Sequence, residues 1–206
     1  MAVTVTSGAY LFAPALAAFQ GNHPNVEVRV RSVHSWDAPG LILDGVAQLA
    51  LVSGPVVHPQ IEQLASFTSP LVLVAGKQHP RSLRRFTLAE LAQEQMLVSY
   101  WGPGSQAFLD RVRGAGEDRA GVWLELSPVE LVKGMLLTGN GVSLVPEVAV
   151  RRELAAGDLI KLRLADSAVR LPMWEITLVR HRRPSSNPAA EALVETVRKV
   201  LPGLAR

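Results

Sequence analysis

The chain has 206 residues, of which 48% are hydrophobic and 19% are charged, and it contains no cysteine. This length makes one domain of ordinary size or two small ones, with far more apolar material than a disordered protein carries. The lack of cysteine excludes disulfides, zinc thiolates, iron–sulfur clusters and a cysteine nucleophile, and a net charge of +3 says little about nucleic acid. No apolar run approaches the ~20 residues that span a bilayer, and residues 1–6 lack the features of a signal peptide. We therefore expect a cytoplasmic protein that makes no use of a membrane.

Short apolar, β-branched runs alternate with helical patterns along the chain. The predicted strands cover residues 3–6, 26–31, 47–52, 71–75, 96–100, 121–125, 142–145 and 174–180. The third, Ala-Gln-Leu-Ala-Leu-Val, is almost continuously apolar, as in a strand covered on both faces of a parallel sheet. This alternation predicts an α/β fold with largely parallel sheets, and the polar segment 76–85 is a candidate crossing between two halves.

Start and stop signals place several helices. Residues 87–90 (Thr-Leu-Ala-Glu) and 127–130 (Ser-Pro-Val-Glu) both fit a capping box, in which a hydroxyl and a glutamate accept each other's backbone N–H groups. Gly157 is expected to end one helix, and Asn187, before a proline, to begin the last one. A first helix near residues 10–20 requires Pro14 to lie in or near its first turn, where the missing N–H costs nothing.

A glycine-containing loop at residues 102–107 offers one catalytic reading. Its sequence, Gly-Pro-Gly-Ser-Gln-Ala, follows a predicted strand, opens a helix and matches the G-x-G-x-x-A dinucleotide fingerprint. Glu125 lies about 20 residues further on, where the fingerprint has its ribose-binding acid. Pro103, however, removes an N–H from the phosphate cradle. A tight strand-to-helix turn, or a helix N-terminus that receives another anion, is therefore the favoured interpretation.

Other catalytic patterns find little support. Residues 141–145 lack the second glycine of a G-x-S-x-G elbow, the five histidines have no metal-ligand spacing, and no carboxylate pair stands out. We expect no enzyme activity, no metal and no cofactor.

Small hydroxyl residues follow several of the predicted strands. Ligands of open α/β sheets bind beyond the carboxyl ends of the strands, where helix N-termini also point their N–H groups. Hydroxyls beside positive helix ends suit a small anion such as a carboxylate, although any one of them can be an ordinary helix cap. The set comprises Thr6, Ser7, Ser32, Ser35, Ser53, Ser99 and Ser127.

Several segments, in their order and spacing, carry a resemblance to a known family. They are P-A-L-A-A-F-Q with H-P-N-V-E-V at 14–28, L-I-L-D-G with Q-L-A-L at 41–51, P-L-V-L-V with H-P at 70–80, and V-K-G-M with G-N-G-V-S-L-V-P at 132–146. Together they resemble the effector-binding domain of LysR-type transcriptional regulators over essentially the whole chain. Gln48 stands where that family usually has Asp.

The resemblance implies a periplasmic-binding-protein type 2 fold, with two Rossmann-like α/β subdomains and a cleft between them. Subdomain I would comprise residues 1–75 plus 175–206, and subdomain II residues 76–174. The winged helix-turn-helix that precedes this domain in the family is absent from the sequence, and we favour a truncated regulator over a stand-alone sensor.

By the same resemblance, a small anionic metabolite would bind in the cleft. The residues lining the cleft there would be Thr6, Ser7, Ser32, Ser53, Ser99, Tyr100, Trp101 and Ser127. Trp101 would either stack on the effector or serve as a packed turn aromatic. Binding would change the packing of the sensor domains in a homodimer or tetramer, and DNA would be contacted only through the absent N-terminal domain. Two alternatives stay open, a transport-type solute-binding protein and a dinucleotide-dependent enzyme.

Overall fold

The computed structural model describes residues 1–80, 85–116, 121–184 and 186–204. The chain forms two compact units, the first from Met1–Ser69 and Glu175–Arg206 and the second from Pro70–Trp174. Residues 71–75, which we expected in the first subdomain, belong to the second unit because they pair there with residues 142–146. Within the described ranges, no helix is long and apolar enough to cross a membrane.

The elements follow in chain order. The strands are β1 (Ala2–Val3), β2 (Arg31–Ser32), β3 (Leu49–Ser53), β4 (Ile61–Gly76), β5 (Arg85–Phe86), β6 (Met96–Val98), β7 (Trp123–Glu125), β8 (Val142–Pro146), β9 (Leu159–Lys161), β10 (Arg163–Leu164) and β11 (Met173–His181). Helix α1 runs in three stretches, α-helical over Val5–Ser7, π-helical over Gly8–Phe12 and α-helical again over Ala13–Asn22. The other helices are α2 (Ala38–Leu43), α3 (Leu88–Ala92), α4 (Pro103–Ala115), α5 (Val129–Leu137), α6 (Glu147–Ala156) and α7 (Pro188–Leu204).

The first unit is built on strands in the order β2-β1-β3-β11. Strands β2 and β3 both run parallel to β1, whereas β11 runs antiparallel to β3. The first four residues of β3 are buried, as the continuous apolar run predicts. Helix α7 packs against α1 and buries the apolar stripe Leu193, Val194, Val197 and Leu201. The second unit pairs β4 with β8 and β9 antiparallel, and β6 with β8 and β7 parallel.

Most of the predicted strands have counterparts, and three of them differ clearly in extent from the prediction. Residues 26–30 form no strand, and only Arg31–Ser32 pair with β1. Strand β1 ends at Val3 because Thr4 already caps α1, its side chain accepting from the backbone N–H of Ser7. The sequence predicts β4 only at 71–75, since residues 61–70 mix polar and apolar positions, yet β4 extends over Ile61–Gly76.

Pro14 is the second residue of the α-helical stretch Ala13–Asn22 and lies in its first turn, as expected. The π-helical stretch directly precedes it, and at its end the N–H of Ala13 bonds to the carbonyl of Gly8, one residue further back than in an α-helix. A π-turn offsets the ladder of backbone hydrogen bonds. The proline ring, which lacks an N–H, is thus placed where the ladder is already interrupted.

The capping predictions divide into three that are confirmed and one that is wrong. Thr87 and Glu90 form the complete capping box of α3. Asn187 accepts from the N–H groups of two residues in the first turn of α7, and Gly157 ends α6 at φ +73°. The box expected at 127–130 does not form. Helix α5 begins one residue later than a Ser127 cap requires, with Pro128 at the cap position and no side-chain bond there.

Candidate ligand-binding site

The carboxyl ends of β1, β2 and β3 meet at one edge of the first unit, because the three strands are parallel. Helix α1 begins at this edge. The N–H of Thr4 donates to the carbonyl of Leu51 in β3 at 3.2 Å, and its hydroxyl accepts from the N–H of Ser7 at 3.3 Å. The positive end of the α1 dipole is therefore fixed to the sheet at the point where the sequence predicts an anion site.

Thr6 and Ser7 both lie in the first turn of α1, and both are buried. The Ser7 hydroxyl lies within hydrogen-bond distance of three oxygens: the carbonyl of Leu51 at 3.0 Å, the carbonyl of Thr4 at 3.2 Å and the hydroxyl of Thr4 at 2.8 Å. A serine has a single hydroxyl proton to donate. Whichever of these oxygens accepts the proton, the Ser7 hydroxyl is bonded within the protein where α1 meets β3, and in this conformation it has no proton to offer to an anion.

Ser32 and Ser53 end the two neighbouring strands. Ser32 is exposed, whereas Ser53 is half-buried and donates its backbone N–H to the hydroxyl of Ser35 at 3.0 Å. Ser35 belongs to the turn after β2, and β1 lies between β2 and β3. This bond therefore joins the turn after β2 to the end of β3, and the turn passes over the carboxyl end of β1. Ser35, which the hydroxyl pattern contained but the family resemblance did not assign to the cleft, is the residue that closes this edge.

A second edge of the same kind lies in the second unit, at the carboxyl ends of β6 and β7. The Ser99 hydroxyl donates to the carbonyl of Leu126 at 2.6 Å and so ties the two loops together. Ser127 follows Leu126 directly and is exposed, as is Tyr100. The structure thus brings Ser99, Tyr100 and Ser127 to one edge, while the hydroxyl proton of Ser99 is used by the backbone.

Trp101 is a packed turn aromatic in this structure. Only 5% of it is exposed. Its indole N–H donates to the carbonyl of Leu144 in β8 at 2.8 Å, and its ring meets Trp174 edge-on with the centroids 5.8 Å apart. Its backbone N–H donates to the hydroxyl of Ser105. Of the two roles considered for Trp101, these contacts favour packing over stacking on an effector.

The glycine loop at 102–107 makes the tight turn that its sequence favours. Gly102 has φ +113°, a conformation that L side chains rarely adopt. The hydroxyl of Ser105 turns inward, donating to the carbonyl of Gly102 at 2.7 Å. The Ser105 hydroxyl thus stabilises the strand-to-helix turn, in agreement with the interpretation of this loop as a tight turn.

A pocket of about 320 Å³ opens elsewhere in the first unit, near the start of β3 and the end of β11, and none of the predicted site residues lines it. Arg180 on its wall donates to Glu62 at 2.9 Å and also pairs with Glu191. The hydrogen bond to Glu62 raises the pKa of the Arg180 guanidinium above its ordinary value. Among the described residues, no group of three acidic, histidine or cysteine side chains is arranged to hold a metal ion.

Known proteins resemble this chain in sequence and in fold. An HTH-type transcriptional regulator CbbR of Xanthobacter flavus is 30% identical over 201 residues, which are 94% of this chain and 58% of that protein. The regulatory domain of Synechocystis PCC6803 CcmR, solved in complex with 2-PG, superposes with a TM-score of 0.75 at 18% identity and covers 97% of this chain and 95% of its own. The effector-binding domain of QuiR in complex with shikimate gives 0.73 at 17% identity, covering 97% and 94%. The α/β fold expected for an effector-binding domain is confirmed.

This chain matches only part of the length of the related regulators. The chain spans about three fifths of the CbbR relative, and those relatives are transcriptional regulators. This finding supports the expectation of a protein that is not an enzyme. The LysR substrate binding domain family matches residues 1–202. The chain therefore belongs to the LysR substrate-binding domain family.

Proposed function

We propose that the chain is the effector-sensing part of a LysR-type transcriptional regulator, and that it binds a small anionic metabolite through the polar edges of its two units. The observation that carries the proposal is the family match over residues 1–202, together with an edge in each unit that holds the hydroxyl residues expected to bind the effector. The related domains solved with 2-PG and shikimate support a small ligand.

The hydrogen bonds assign different tasks to the site residues. Ser7 and Ser99 position the edges, since the Ser7 hydroxyl is bonded where α1 meets β3 and the Ser99 hydroxyl joins the loops after β6 and β7. Direct contacts with the anion then fall to the first-turn N–H groups of α1 and to the exposed side chains Ser32 and Tyr100. Losing a positioning serine should weaken binding because the anion-binding groups are no longer held in place.

In the intact regulator, effector binding would favour one conformation of the sensor domain. This change would alter the packing of sensor domains in a homodimer or tetramer and reposition the DNA-binding domains, at the scale of a typical allosteric coupling, ~1–3 kcal/mol. DNA contact would be made by the N-terminal domain, outside this chain, and a cytoplasmic location follows from that role. The relatives named as transcriptional regulators favour this function over a transport-type solute-binding protein or a dinucleotide-dependent enzyme.

A thermal-shift screen of small metabolic anions, with neutral and cationic metabolites beside them, tests the proposal. A ligand that binds the native chain raises its melting temperature, and the rise continues with the logarithm of the ligand concentration above Kd. We expect the stabilising compounds to be anions, and calorimetry on each should give one site per chain. A screen in which only neutral or cationic compounds raise the melting temperature would contradict the proposal.

A pair of serine variants then tests where the anion binds. Ser99 and Ser143 each donate to a backbone carbonyl in the second unit, at 2.6 and 2.5 Å, but Ser143 lies within β8 and is fully buried. We expect Ser99→Ala to weaken effector binding by about tenfold, equivalent to about 1.4 kcal/mol, and Ser143→Ala to leave affinity unchanged. Equal affinities in the two variants would remove the second-unit edge from the site.

A further inference from the structure

Trp36 is the tryptophan of this chain that stands out into solvent. It is 70% exposed, whereas Trp101 and Trp174 are 5% and 0% exposed, and Trp123 is half-buried with the Arg113 guanidinium 4.4 Å from its ring centre. Exposed apolar side chains are common singly. Trp36 differs from a chance exposure in that both its backbone and its ring are held in place.

The turn that carries Trp36 is fixed to the carboxyl edge of the first unit. On one side, the N–H of Val33 donates to the carbonyl of Val3, the last residue of β1, at 2.9 Å. Next to Trp36, the Ser35 hydroxyl accepts from the N–H of Ser53 in β3. Trp36 therefore follows directly on the residue that bridges the end of β1, at the edge where α1 begins.

The ring of Trp36 is held by a neighbouring aromatic ring. The imidazole of His34 stacks on it with the centroids 4.4 Å apart and only 4° between the planes. This contact occupies one face of the indole and leaves the large exposed surface to the other face and the edge. An aromatic ring that is oriented before a ligand arrives loses little conformational freedom on binding.

We propose that the open face of Trp36 is a stacking subsite of the effector site, so that the natural effector carries a ring as well as an anionic group. The inference rests on the proposed function, since it places the anion at the start of α1 and the ring on the turn after β2. Offset stacking on an indole favours flat or ring-shaped apolar surface. Short acyclic anions, which carry no ring to stack on the indole, should bind more weakly.

Two pairs of probes separate the ring from the charge. Benzoate and shikimate carry a ring with a carboxylate, whereas acetate and succinate carry carboxylates alone. We expect the ring-bearing probes to bind at least tenfold more tightly and to change the tryptophan emission on titration. Because Trp36 is the exposed indole, Trp36→Phe should abolish the emission change while keeping most of the affinity, since phenylalanine also stacks.

Trp36→Ala supplies the decisive comparison. The side chain is mostly in solvent, so this variant should unfold at nearly the wild-type temperature, which circular dichroism checks. Its affinity for the ring-bearing probe should fall about tenfold, and its weak affinity for acetate should not change. A fall for both kinds of probe would instead show that the residue shapes the whole edge, and would overturn the assignment of a ring subsite.

The outcomes also separate this inference from the proposed function. Tighter binding of acyclic anions overturns the stacking subsite, and so does the lack of binding by both ring-bearing probes at concentrations on the order of 10 mM. Binding of any anion still upholds the sensor function. An emission change of Trp36 on raising the protein concentration without ligand would show that a second copy covers the ring, and would likewise overturn the subsite.

Discussion

Replacing Trp101 by phenylalanine should destabilise the second unit strongly. The variant loses the indole N–H that donates to Leu144 at 2.8 Å, in a side chain that is 5% exposed. Leaving a buried carbonyl without its donor costs about 1–3 kcal/mol, and the void left by the smaller ring beside Trp174 adds about 1 kcal/mol. We therefore expect a loss of about 2–4 kcal/mol in the free energy of unfolding.

Trp123→Phe is the matched control, because the indole N–H of Trp123 is buried without a hydrogen-bond partner among the described residues. Removing an unsatisfied donor relieves a desolvation cost, and the phenyl ring still faces the Arg113 guanidinium. We expect a change within about 1 kcal/mol. In urea unfolding followed by far-ultraviolet circular dichroism, a typical slope of about 2–3 kcal/mol per molar gives Trp101→Phe a midpoint about 1 M lower. Equal midpoints for the two variants would refute the role assigned to the Trp101–Leu144 bond.

Two further predictions concern the helix ends and the interior of α5. Gly157→Ala should lower the free energy of unfolding by about 1 kcal/mol, because φ is +73° at this position. Gly134→Ala should raise it by up to about 1 kcal/mol, because the residue lies inside a helix and an added Cβ meets nothing within 4 Å. Thermal unfolding should thus shift in opposite directions, and two shifts of the same sign would contradict the assignment. Asn187→Ala should cost about 1 kcal/mol, because its side chain accepts from the N–H groups of Ala189 and Ala190. Asn187→Asp, which keeps the acceptor, should retain most of the stability, and an equal loss in both variants would argue against the cap.

The sequence by itself determined the family, the α/β class and most of the strands. It also determined those caps in which every partner lies within three or four residues. Thr87 and Glu90 form their box as predicted, and Gly157 ends its helix, because the groups involved are neighbours in the chain. The box at residues 127–130 shows the limit of such signals. There a shift of one residue in the start of α5 moves Glu130 out of the position that a Ser127 cap would need.

Only the tertiary structure decided what each predicted site residue does. The long-range partners of Ser7, Ser99 and Trp101 lie 44, 27 and 43 residues away in the chain. Pairing between strands chooses these partners, so no local pattern reveals that the two hydroxyls are bonded within the protein. The position of Trp36 has the same origin, because its turn is held at the edge of the sheet by the bonds from Val33 to Val3 and from Ser53 to Ser35. A sequence lists the groups that can donate or stack, and the sheet register then fixes which of them remain available to a ligand.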